Sequence, residues 1–434
     1  MMDRTTAEAF VYRSYLDAQP YLSYDGSDSG KRHPELTRSL LQSMAVDEQI
    51  LVTGSKGKGS TALMLSQLLQ TVYRVGLMTS PHIQSICERF RVDGKQISDA
   101  DFVAQMEQIA PSIQKMMEHL PRGWYVSPIG IQAALALQYF KHCRTQYNII
   151  ECGKGVRYDD VNNIPHRYAV INTIFLEHTR ELGATLTDIA ADKACIITRG
   201  EEAVYVASQT DEVMSVIRNR AADEGVALKC YGDDFEALNP VYTPSGMQFD
   251  VRVGTSYYCQ LQVPLFGIHM ARNAALALAL AHDLLGEMDE VVVRRQLSAV
   301  VWPGRLEVLS RQPFVMLDAC VNRESTEAVK ETLKQLGMEK PALIVCIPQD
   351  KDYVGVVKAM TSDVAGVILT QAENRHYVFS PQQCEMLARE GVKVRWMSSL
   401  AESVAAVAGR PIVILGTTAI VPEARSLFIA SRNN

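Results

Sequence analysis

The chain has 434 residues, which is too long for one ordinary hydrophobic core and predicts two domains. Hydrophobic residues make up 47% of it and charged residues 21%, and the net charge of −6 argues against general affinity for nucleic acid or anionic membranes. It contains no signal-peptide core and no membrane-length apolar run, and its nine scattered cysteines without a CxxC pair are typical of reduced cytosolic thiols.

The first part of the chain alternates short apolar runs with amphipathic stretches, which predicts an α/β fold with largely parallel strands. Amphipathic stretches predict helices at Ser60–Thr71 and Leu186–Ile197, and alternation around a Gly-Thr turn predicts a hairpin at 247–265. The predicted strands are Ile50–Thr53, Val75–Thr79, Tyr147–Glu151, Tyr168–Ile174 and Ala203–Ala207.

A second alternating block later in the chain predicts a smaller, doubly wound domain. The junction is placed at Val300–Leu309, where Pro303 and Gly304 break the preceding helix. We therefore expect a first domain with a central, mostly parallel sheet at residues 1–301 and a smaller, Rossmann-like domain at 302–434. The strands predicted in the second block are Phe314–Asp318, Leu343–Ile347, Gly366–Leu369, Val392–Trp396 and Ile412–Leu415.

The string GSKGKGST lies between a predicted strand and a predicted helix, which is the setting of a phosphate-binding loop. It lacks the common G-x-x-x-x-G-K-[ST] spacing, but its glycines let backbone N–H groups converge on an anion at a helix amino terminus. Lys58 offers a positive charge and two hydroxyl residues follow, while a plain glycine-rich turn is the alternative. The predicted nucleotide-binding residues here are Gly54, Gly57, Lys58, Gly59, Ser60 and Thr61.

Lys193 is the one polar residue on an otherwise apolar face of the helix predicted at Leu186–Ile197. Positions 186, 189, 190, 193, 194 and 197 lie close to one side, and the other five are leucine, isoleucine or alanine. Such a lysine either reaches the rim, where it is solvated or ion-paired, or serves chemistry. Burial lowers the pKa of a lysine and favours the neutral amine, which reacts with carbon dioxide to give a carbamate.

Glu151 closes an apolar strand, at the edge where a parallel sheet places its ligands. Mg²⁺ prefers oxygen ligands and needs only one or two carboxylates besides phosphates. Taken alone, Glu151 is better explained as a solvated strand tip, and His178 as a structural histidine.

The phosphate-loop string resembles that of the Mur ligase superfamily, most closely the GTNGKGS string of folylpolyglutamate and dihydrofolate synthases, with Lys56 in place of the asparagine. Further segments resemble family blocks in order and spacing over most of residues 50–310, and together they are highly specific. Met78–Ser98 resembles TSPHL…ERI…NG…IS, Glu151–Asn163 resembles EVGLGGRLDATN, Phe175–Ile197 resembles GLDH…LG.T…IA.EKAGI, Gly267–Ala279 resembles H…NA.LALA, and Trp302–Glu307 resembles the WPGRLE hallmark.

The resemblance implies that residues 1–301 form a phosphate-loop ATPase domain. It also implies a magnesium site of one or two ions, with Ser80, Glu151 and His178 as ligands. It also implies that Lys193 is carbamylated and that the resulting anion helps to hold a metal. A snorkelling or ion-paired Lys193 is the alternative.

The resemblance further implies that Asn273 recognises the adenine of ATP, with a helix-start cap as the alternative. Arg305 follows Pro-Gly at the predicted junction, where a guanidinium is suited to close over ATP phosphates or to form an inter-domain salt bridge. Asp318, which the resemblance places in the first motif of the second domain, is predicted to take part in ATP binding.

Two segments depart from the family. The relatives read LDGAHNP where this chain reads LDACVNRES, so that Val321 replaces a histidine and Arg323 a proline. Valine neither donates a hydrogen bond nor carries a proton, whereas Arg323 either binds a carboxylate or points into water. The string GKGVR in place of GLGGR adds Lys154 and Val156.

The expected function is that of an ATP-dependent amide ligase that forms an acyl phosphate, with a folate or pteroate as acyl substrate and glutamate as the amine. One alternative is a paralogue that joins another carboxylate to an amino acid or amine, and the other is a nucleotide-binding subunit without turnover. We expect a cytoplasmic monomer with small-molecule partners, and neither nucleic acid nor a membrane. The predicted catalytic residues are Lys58, His178, Lys193, Arg305 and Asp318.

Overall fold

The structure is a computed structural model that describes residues 2–22, 28–45, 48–373 and 377–429. By internal packing the chain divides into two compact units, each of which draws on more than one stretch of sequence. The first unit comprises Met1–Leu238, Asp250–Leu261 and Arg272–Leu297, and the second comprises Asn239–Phe249, Gln262–Ala271 and Ser298–Asn434. The predicted domain division at 301/302 stays a prediction.

The first unit is built on an eight-stranded sheet in the order β4-β3-β2-β5-β1-β6-β7-β8. All neighbouring pairs from β2 to β8 are parallel, and β3 and β4 add an antiparallel edge. Its strands are β1 Glu48–Thr53, β2 Val75–Met78, β3 Phe90–Val92, β4 Lys95–Gln96, β5 Tyr147–Glu151, β6 Tyr168–Ile171, β7 Ala203–Val206 and β8 Ala227–Cys230.

Eight helices of the first unit accompany this sheet. Those that pack on the central strands, α3 and α5, are buried on almost every side, as expected of helices in the middle of a large α/β domain. The helix α5 begins at Ser127, whose Oγ accepts the Gly130 N–H, and has proline at its first position. The helices are α1 Arg4–Ala18, α2 Glu35–Met44, α3 Lys58–Leu69, α4 Asp99–Met117, α5 Pro128–Cys143, α6 Thr179–Leu182, α7 Leu186–Lys193 and α8 Asp211–Glu224.

A three-stranded sheet, ordered β11-β10-β9, follows in the sequence, and two helices come after it. The predicted hairpin at 247–265 is confirmed by β10 and β11, which flank the Gly254-Thr255 turn. The bounds are β9 Phe235–Thr243, β10 Gly246–Val253, β11 Ser256–Val263, α9 Ile268–Leu285 and α10 Glu290–Ser298.

The second unit contains a six-stranded sheet in the order β12-β13-β17-β14-β15-β16, parallel except for the β12–β13 pair. Its strands are β12 Glu307–Arg311, β13 Phe314–Asp318, β14 Ala342–Cys346, β15 Gly366–Leu369, β16 Val394–Trp396 and β17 Ile412–Gly416. Its helices are α11 Thr326–Gln335, α12 Tyr353–Met360, α13 Gln382–Arg389, α14 Leu400–Ala405 and α15 Ile420–Ile429.

The predicted α/β class is confirmed, and most of the predicted strands lie within two residues of the observed ones. The strand predicted at Tyr168–Ile174 is wrong at its end, because it stops at Ile171 and the Ile174 N–H donates to the Gln209 side chain. The helix predicted at Leu186–Ile197 ends at Lys193 and tightens into a 3₁₀ turn at Ala194–Ile196.

None of the helices in the described part of the chain combines the length and the apolar character needed to cross a bilayer.

A buried ion pair, His166 with Glu201, lies just before β6 and β7. The His166 Nδ1 is 2.9 Å from the Ile164 carbonyl oxygen, while Nε2 is 3.0 Å from the Ile196 carbonyl oxygen and 3.1 Å from Glu201 Oε1. Burial alone lowers the pKa of His166, but the hydrogen bond and charge of Glu201, with the two carbonyl groups, outweigh burial and raise it. Since both ring nitrogens face acceptors, the ring is held as the imidazolium.

This pair predicts a pH-dependent stability. Because the folded-state pKa of His166 is raised above 6.5, its contribution is full below that pH and is lost as pH rises through the raised value. Glu201→Gln should therefore cost about 2 kcal/mol of unfolding free energy near pH 6 and progressively less at higher pH. Thermal melts of both proteins across this range measure the difference.

The neighbouring Glu202→Gln is the control, because Glu202 pairs with Arg167 at the surface and exposed pairs contribute about 0–1 kcal/mol. A melting difference between Glu201→Gln and the parent protein that stays constant with pH would contradict the assignment of a charged His166.

Candidate active site

Four adjacent strands of the first unit deliver the site residues to one edge of the sheet. In the order β2-β5-β1-β6, Ser80 follows β2, Glu151 ends β5, Gly54 follows β1 and Asn172 follows β6. Carboxyl ends of parallel strands are where open α/β sheets bind ligands. The sheet thus brings together three of the residues singled out from the sequence and one, Asn172, that was not.

The predicted phosphate-loop geometry is present between β1 and α3. Gly57 stands immediately before α3 with φ +88°, and Gly54 has φ +135°. A Cβ atom on Gly54 would lie 2.6 Å from the Asn172 Cβ, and one on Gly57 would lie 2.8 Å from Asn273 Oδ1. Backbone conformation and close packing therefore both require glycine at these two positions.

Two lysines converge on the first residue of the loop. Lys58 Nζ donates to the Gly54 carbonyl oxygen at 2.9 Å, and Lys193 Nζ donates to the same oxygen at 3.1 Å. Lys193 is completely buried and does not reach the rim, which was one of the two alternatives that its apolar helix face left open. Burial and the nearby charge of Lys58 lower the pKa of Lys193, and Glu177 opposes that shift only in part.

The remaining contacts of Lys193 are those of an ion-paired ammonium. Its Nζ donates to the Lys154 carbonyl oxygen at 2.7 Å and lies 3.2 Å from Glu177 Oε1. Two carbonyl oxygens thus accept hydrogen bonds from the amine, and the Glu177 carboxylate is its ionic partner. The role of Lys193 as a carbamate stays a prediction.

Ser80 and Glu151 are in direct contact, since the Ser80 N–H donates to Glu151 Oε2 at 2.8 Å. The Ser80-Pro81 peptide bond is cis. Nearby, Arg89 donates through Nε to His82 Nδ1 and through Nη1 to Gln132 Oε1, both at 2.8 Å. Burial and the charge of Arg89 lower the pKa of His82, so the ring accepts as neutral imidazole.

His178 immediately precedes the short helix α6 and has a left-handed conformation with φ +47°. Its half-exposed ring lies 3.9 Å from Glu177, and burial lowers its pKa. Across the described residues, no three His, Cys, Asp or Glu side chains converge as a metal centre. The predicted ligand set includes a serine hydroxyl and a lysine derivative, which lie outside those residue types, so the metal site stays a prediction.

Asn273 lies in the second turn of α9 and therefore does not cap that helix. Its Oδ1 accepts from Asn172 Nδ2 at 3.1 Å, and the same Nδ2 donates to Thr61 Oγ1 at 2.9 Å. Asn172 was not singled out from the sequence, because it lies inside the strand predicted at Tyr168–Ile174, which ends at Ile171 in the structure.

A cleft of about 490 Å³ opens in the first unit beside this edge. Three tyrosines line it, Tyr12 and Tyr15 from α1 and Tyr125 from the segment before α5, and the rings of Tyr15 and Tyr125 meet edge to face at 5.3 Å. Arg89 connects the cleft to the end of β2, because its carbonyl accepts the Thr79 N–H. Lys154 connects the cleft to the loop through Lys193, which donates to the Lys154 and Gly54 carbonyl oxygens.

The charge of the cleft is positive although the chain is acidic overall. Four cations face two carboxylates, and Lys154 lies 3.3 Å from each carboxylate. Behind the cleft, Ser127 Oγ and Thr37 Oγ1 donate to Asp160, and burial raises the pKa of that carboxyl to about 6. The charged lining residues are Lys31, Arg32, Arg89, Lys154, Asp28 and Glu181.

In the second unit, Asp318 supports the chain next to Arg305. Asp318 Oδ2 accepts the Leu306 N–H at 2.8 Å, and the Ala319 N–H donates to the Gly304 carbonyl at 2.9 Å. The WPGRLE string and the start of LDACVNRES are therefore joined by hydrogen bonds. The roles of Arg305 and Asp318 toward ATP stay predictions.

The string LDACVNRES of the second unit, which differs from the family, leads into the amino terminus of helix α11. Asn322 Oδ1 accepts the Ser325 N–H at 3.0 Å, and the Arg323 N–H donates to Asp352 Oδ2 at 3.2 Å. Arg323 is exposed and Val321 is half-buried. Val321 thus places no polar side chain before helix α11.

The loop, the lysine pair and the sheet edge define a ligase of the Mur type, and the family model described as "Mur ligase middle domain" matches residues 52–281, more than half of the chain. Enzymes of this class use ATP to form amide bonds. The chain is 32% identical to the dihydrofolate synthase/folylpolyglutamate synthase of Bacillus subtilis over 71% of its own length and 73% of that protein. It therefore belongs to the folylpolyglutamate synthase/dihydrofolate synthase family.

Two further relatives extend over nearly the whole chain. The folylpolyglutamate synthase of Lacticaseibacillus casei is 27% identical over 97% of this chain and 98% of that protein. The solved structure of Mycobacterium tuberculosis folylpolyglutamate synthase complexed with ADP and AMPPCP is 27% identical, covers 96% of this chain and 99% of that one, and has a TM-score of 0.81.

Gly57→Ala should disable the loop. The added methyl would approach Asn273 Oδ1 and Asn172 Nδ2 within 3 Å at a left-handed backbone, which costs about 1–3 kcal/mol and displaces the loop. We expect AMPPCP affinity, measured by calorimetric titration, to fall at least about tenfold, which corresponds to 1.4 kcal/mol.

Gly225→Ala is the matched control, because Gly225 also has positive φ (+70°) but no atom lies within 4 Å of an added Cβ. Equal AMPPCP affinity in the two variants would contradict the close-packing account of Gly57.

Proposed function

We propose that the protein joins glutamate to a folate or pteroate, using ATP and passing through an acyl phosphate. The family establishes the reaction class, and the observation that carries the substrate proposal is the tyrosine-lined, positively charged cleft beside the phosphate loop. We also propose that it works as a cytoplasmic monomer, a location that the lack of disulfide bonds among the described residues supports.

The cleft suits a flat heteroaromatic acid. Tyrosine rings offer stacking and edge contacts to an aromatic ring system, and the Gln132 amide is a polar group suited to hydrogen bonds with ring nitrogens. The excess of two positive charges favours a substrate that carries carboxylates. Arg89 extends this positive charge toward Glu151. The negative charge of Glu151 in turn favours the charged form of the Arg89 guanidinium.

The chain's own groups account for the activation step. A substrate carboxylate attacks the γ-phosphorus of ATP, ADP leaves, and the amine nitrogen then displaces phosphate from the acyl carbon. Phosphoryl transfer needs positioning and charge neutralisation more than covalent help from the protein. The amino terminus of α3 and Lys58 supply these at the loop.

Magnesium fits the chemistry of the residues at the end of β2 and β5. The Ser80 hydroxyl and the Glu151 carboxylate offer hard oxygen donors on two residues that a backbone hydrogen bond holds together, which suits Mg²⁺ beside phosphate oxygens. We propose that these two hold the ion, with His178 as a further ligand. The ion would neutralise charge on the phosphates.

A second function is favoured by the divergent string of the second unit. Val321 cannot form the hydrogen bonds of a histidine, and Lys154 adds a charge to the cleft. An acyl acceptor or acyl donor different from glutamate and folate would accommodate both changes without altering the phosphate loop.

A substrate panel separates these functions. The protein is incubated with ATP, Mg²⁺ and carboxylates crossed with amino acids, and phosphate release and product mass are followed. Amide formation with a folate or pteroate plus glutamate supports the proposal, and amides formed only from another pair support the second function. Tight ATP binding without any product would contradict both.

Glu151→Gln tests the metal assignment. The amide oxygen can still accept the Ser80 N–H, so the fold should be kept, while loss of the negative charge should lower Mg²⁺-dependent turnover more than about a hundredfold. Phosphate release and thermal melting are measured together.

Glu48→Gln at the beginning of β1 is the control, because Glu48 pairs with exposed Arg167. Parent-level turnover of Glu151→Gln across Mg²⁺ concentrations would remove Glu151 from the metal site.

Lys193→Ala tests the role of the buried lysine. Removal of its contacts to the Gly54 and Lys154 carbonyls should abolish amide formation, whichever chemical form acts. Added small molecules distinguish the forms: a short carboxylic acid restores activity if a carbamate acts, and a short alkylamine if an ammonium acts. Product formation is followed by mass.

Lys56→Ala is the control, since Lys56 is exposed and lies over the Phe175 ring instead of in the loop interior. Unchanged activity of a folded Lys193→Ala protein would exclude both forms.

A further inference from the structure

Asn172 occupies the centre of a buried polar cluster behind the phosphate loop. It is completely buried, its backbone N–H donates to the Thr53 carbonyl at 2.8 Å, and its own carbonyl accepts from Gln209 Nε2 at 3.0 Å. The backbone of Asn172 is therefore fixed independently of its side chain, which is free to serve the loop.

The Asn172 side chain donates both of its amide protons to residues of the predicted nucleotide site. One N–H of Nδ2 donates to Thr61 Oγ1 at 2.9 Å and the other to Asn273 Oδ1 at 3.1 Å. If the Asn273 amide were rotated by 180°, its NH₂ group would face the NH₂ group of Asn172, and two donors cannot form a hydrogen bond with each other. Asn172 thus determines which end of the Asn273 amide is the donor.

Two atoms of the cluster have no hydrogen-bond partner within the described residues, Asn172 Oδ1 and Asn273 Nδ2. Both are buried, and buried polar atoms without partners are rare in folded proteins. The Asn273 amide lies against Gly57, where an added Cβ would be 2.9 Å from Nδ2. The amide pair therefore packs on the loop that precedes α3.

We propose that Asn172 is a positioning residue for nucleotide binding, which fixes the Thr61 hydroxyl and the orientation of the Asn273 amide without itself contacting the nucleotide. This inference rests on the proposed ATP-binding roles of Thr61 and Asn273. An asparagine amide pairs with the N6 and N7 of adenine only in the correct orientation, so the orientation controls base preference.

Asn172→Asp tests the inference with almost no change of shape. The substitution replaces the NH₂ donor of residue 172 with a carboxylate oxygen. To form a hydrogen bond with that oxygen, the Asn273 amide must turn its NH₂ group toward residue 172. Binding is measured by displacement of a fluorescent ATP analogue with AMPPCP, ATP and ITP, in the absence of acyl substrate. We expect AMPPCP and ATP affinity to fall at least about tenfold while ITP affinity falls less, so that the preference for ATP over ITP decreases.

Gln209→Ala is the matched control, because Gln209 supports the same backbone segment but touches neither Thr61 nor Asn273 in the hydrogen bonds above. It should keep the ATP-over-ITP preference of the parent. Asn172→Ala, which removes the donor without adding a charge, is the second variant if Asn172→Asp does not fold, and it should also lose part of the preference.

The outcomes separate this inference from the proposed function. If the parent protein binds no AMPPCP, the proposed function fails. If the parent binds AMPPCP and the folded Asn172 variants lose ATP and ITP equally, or lose neither, the positioning role is overturned.

Discussion

The first unit depends on a single carbonyl oxygen, that of Gly54, which accepts hydrogen bonds from both Lys58 and Lys193. This double contact holds the end of β1, the beginning of the loop and the end of α7 together. It also places two lysine amines side by side, one of them buried, and two positive charges there would be unfavourable unless anions are near. Glu177 balances part of the charge, and ATP phosphates would balance the rest.

The sequence predicted those parts of the site that depend on local pattern. Glycines before a helix, a lysine on an apolar helix face and a glutamate at a strand end are local signals, and all three stand where they were expected. Asn172 and the tyrosines of α1 were missed because long-range packing brings them to the site. The strand end at Ile171 was mispredicted because a Gln209 side chain replaces the next ladder partner.

The two departures from the family have different structural consequences. At position 154 the backbone carbonyl accepts Lys193, so the contact is available whatever side chain is present, and the lysine side chain is directed to the cleft and its carboxylates. At position 321, where the family string has a histidine, the valine side chain has no polar atom. The change at 154 therefore adds a charge to the cleft, whereas the change at 321 leaves its position without a hydrogen-bonding side chain.

The central claim is that a substrate carboxylate is activated by ATP as an acyl phosphate. Its most direct test uses folate labelled with ¹⁸O in the carboxylate, together with ATP, Mg²⁺ and glutamate, and measures the label in the released phosphate. The account predicts that each amide formed transfers one ¹⁸O atom to phosphate, because the attacking oxygen leaves with it. Amide formation with unlabelled phosphate would contradict the account.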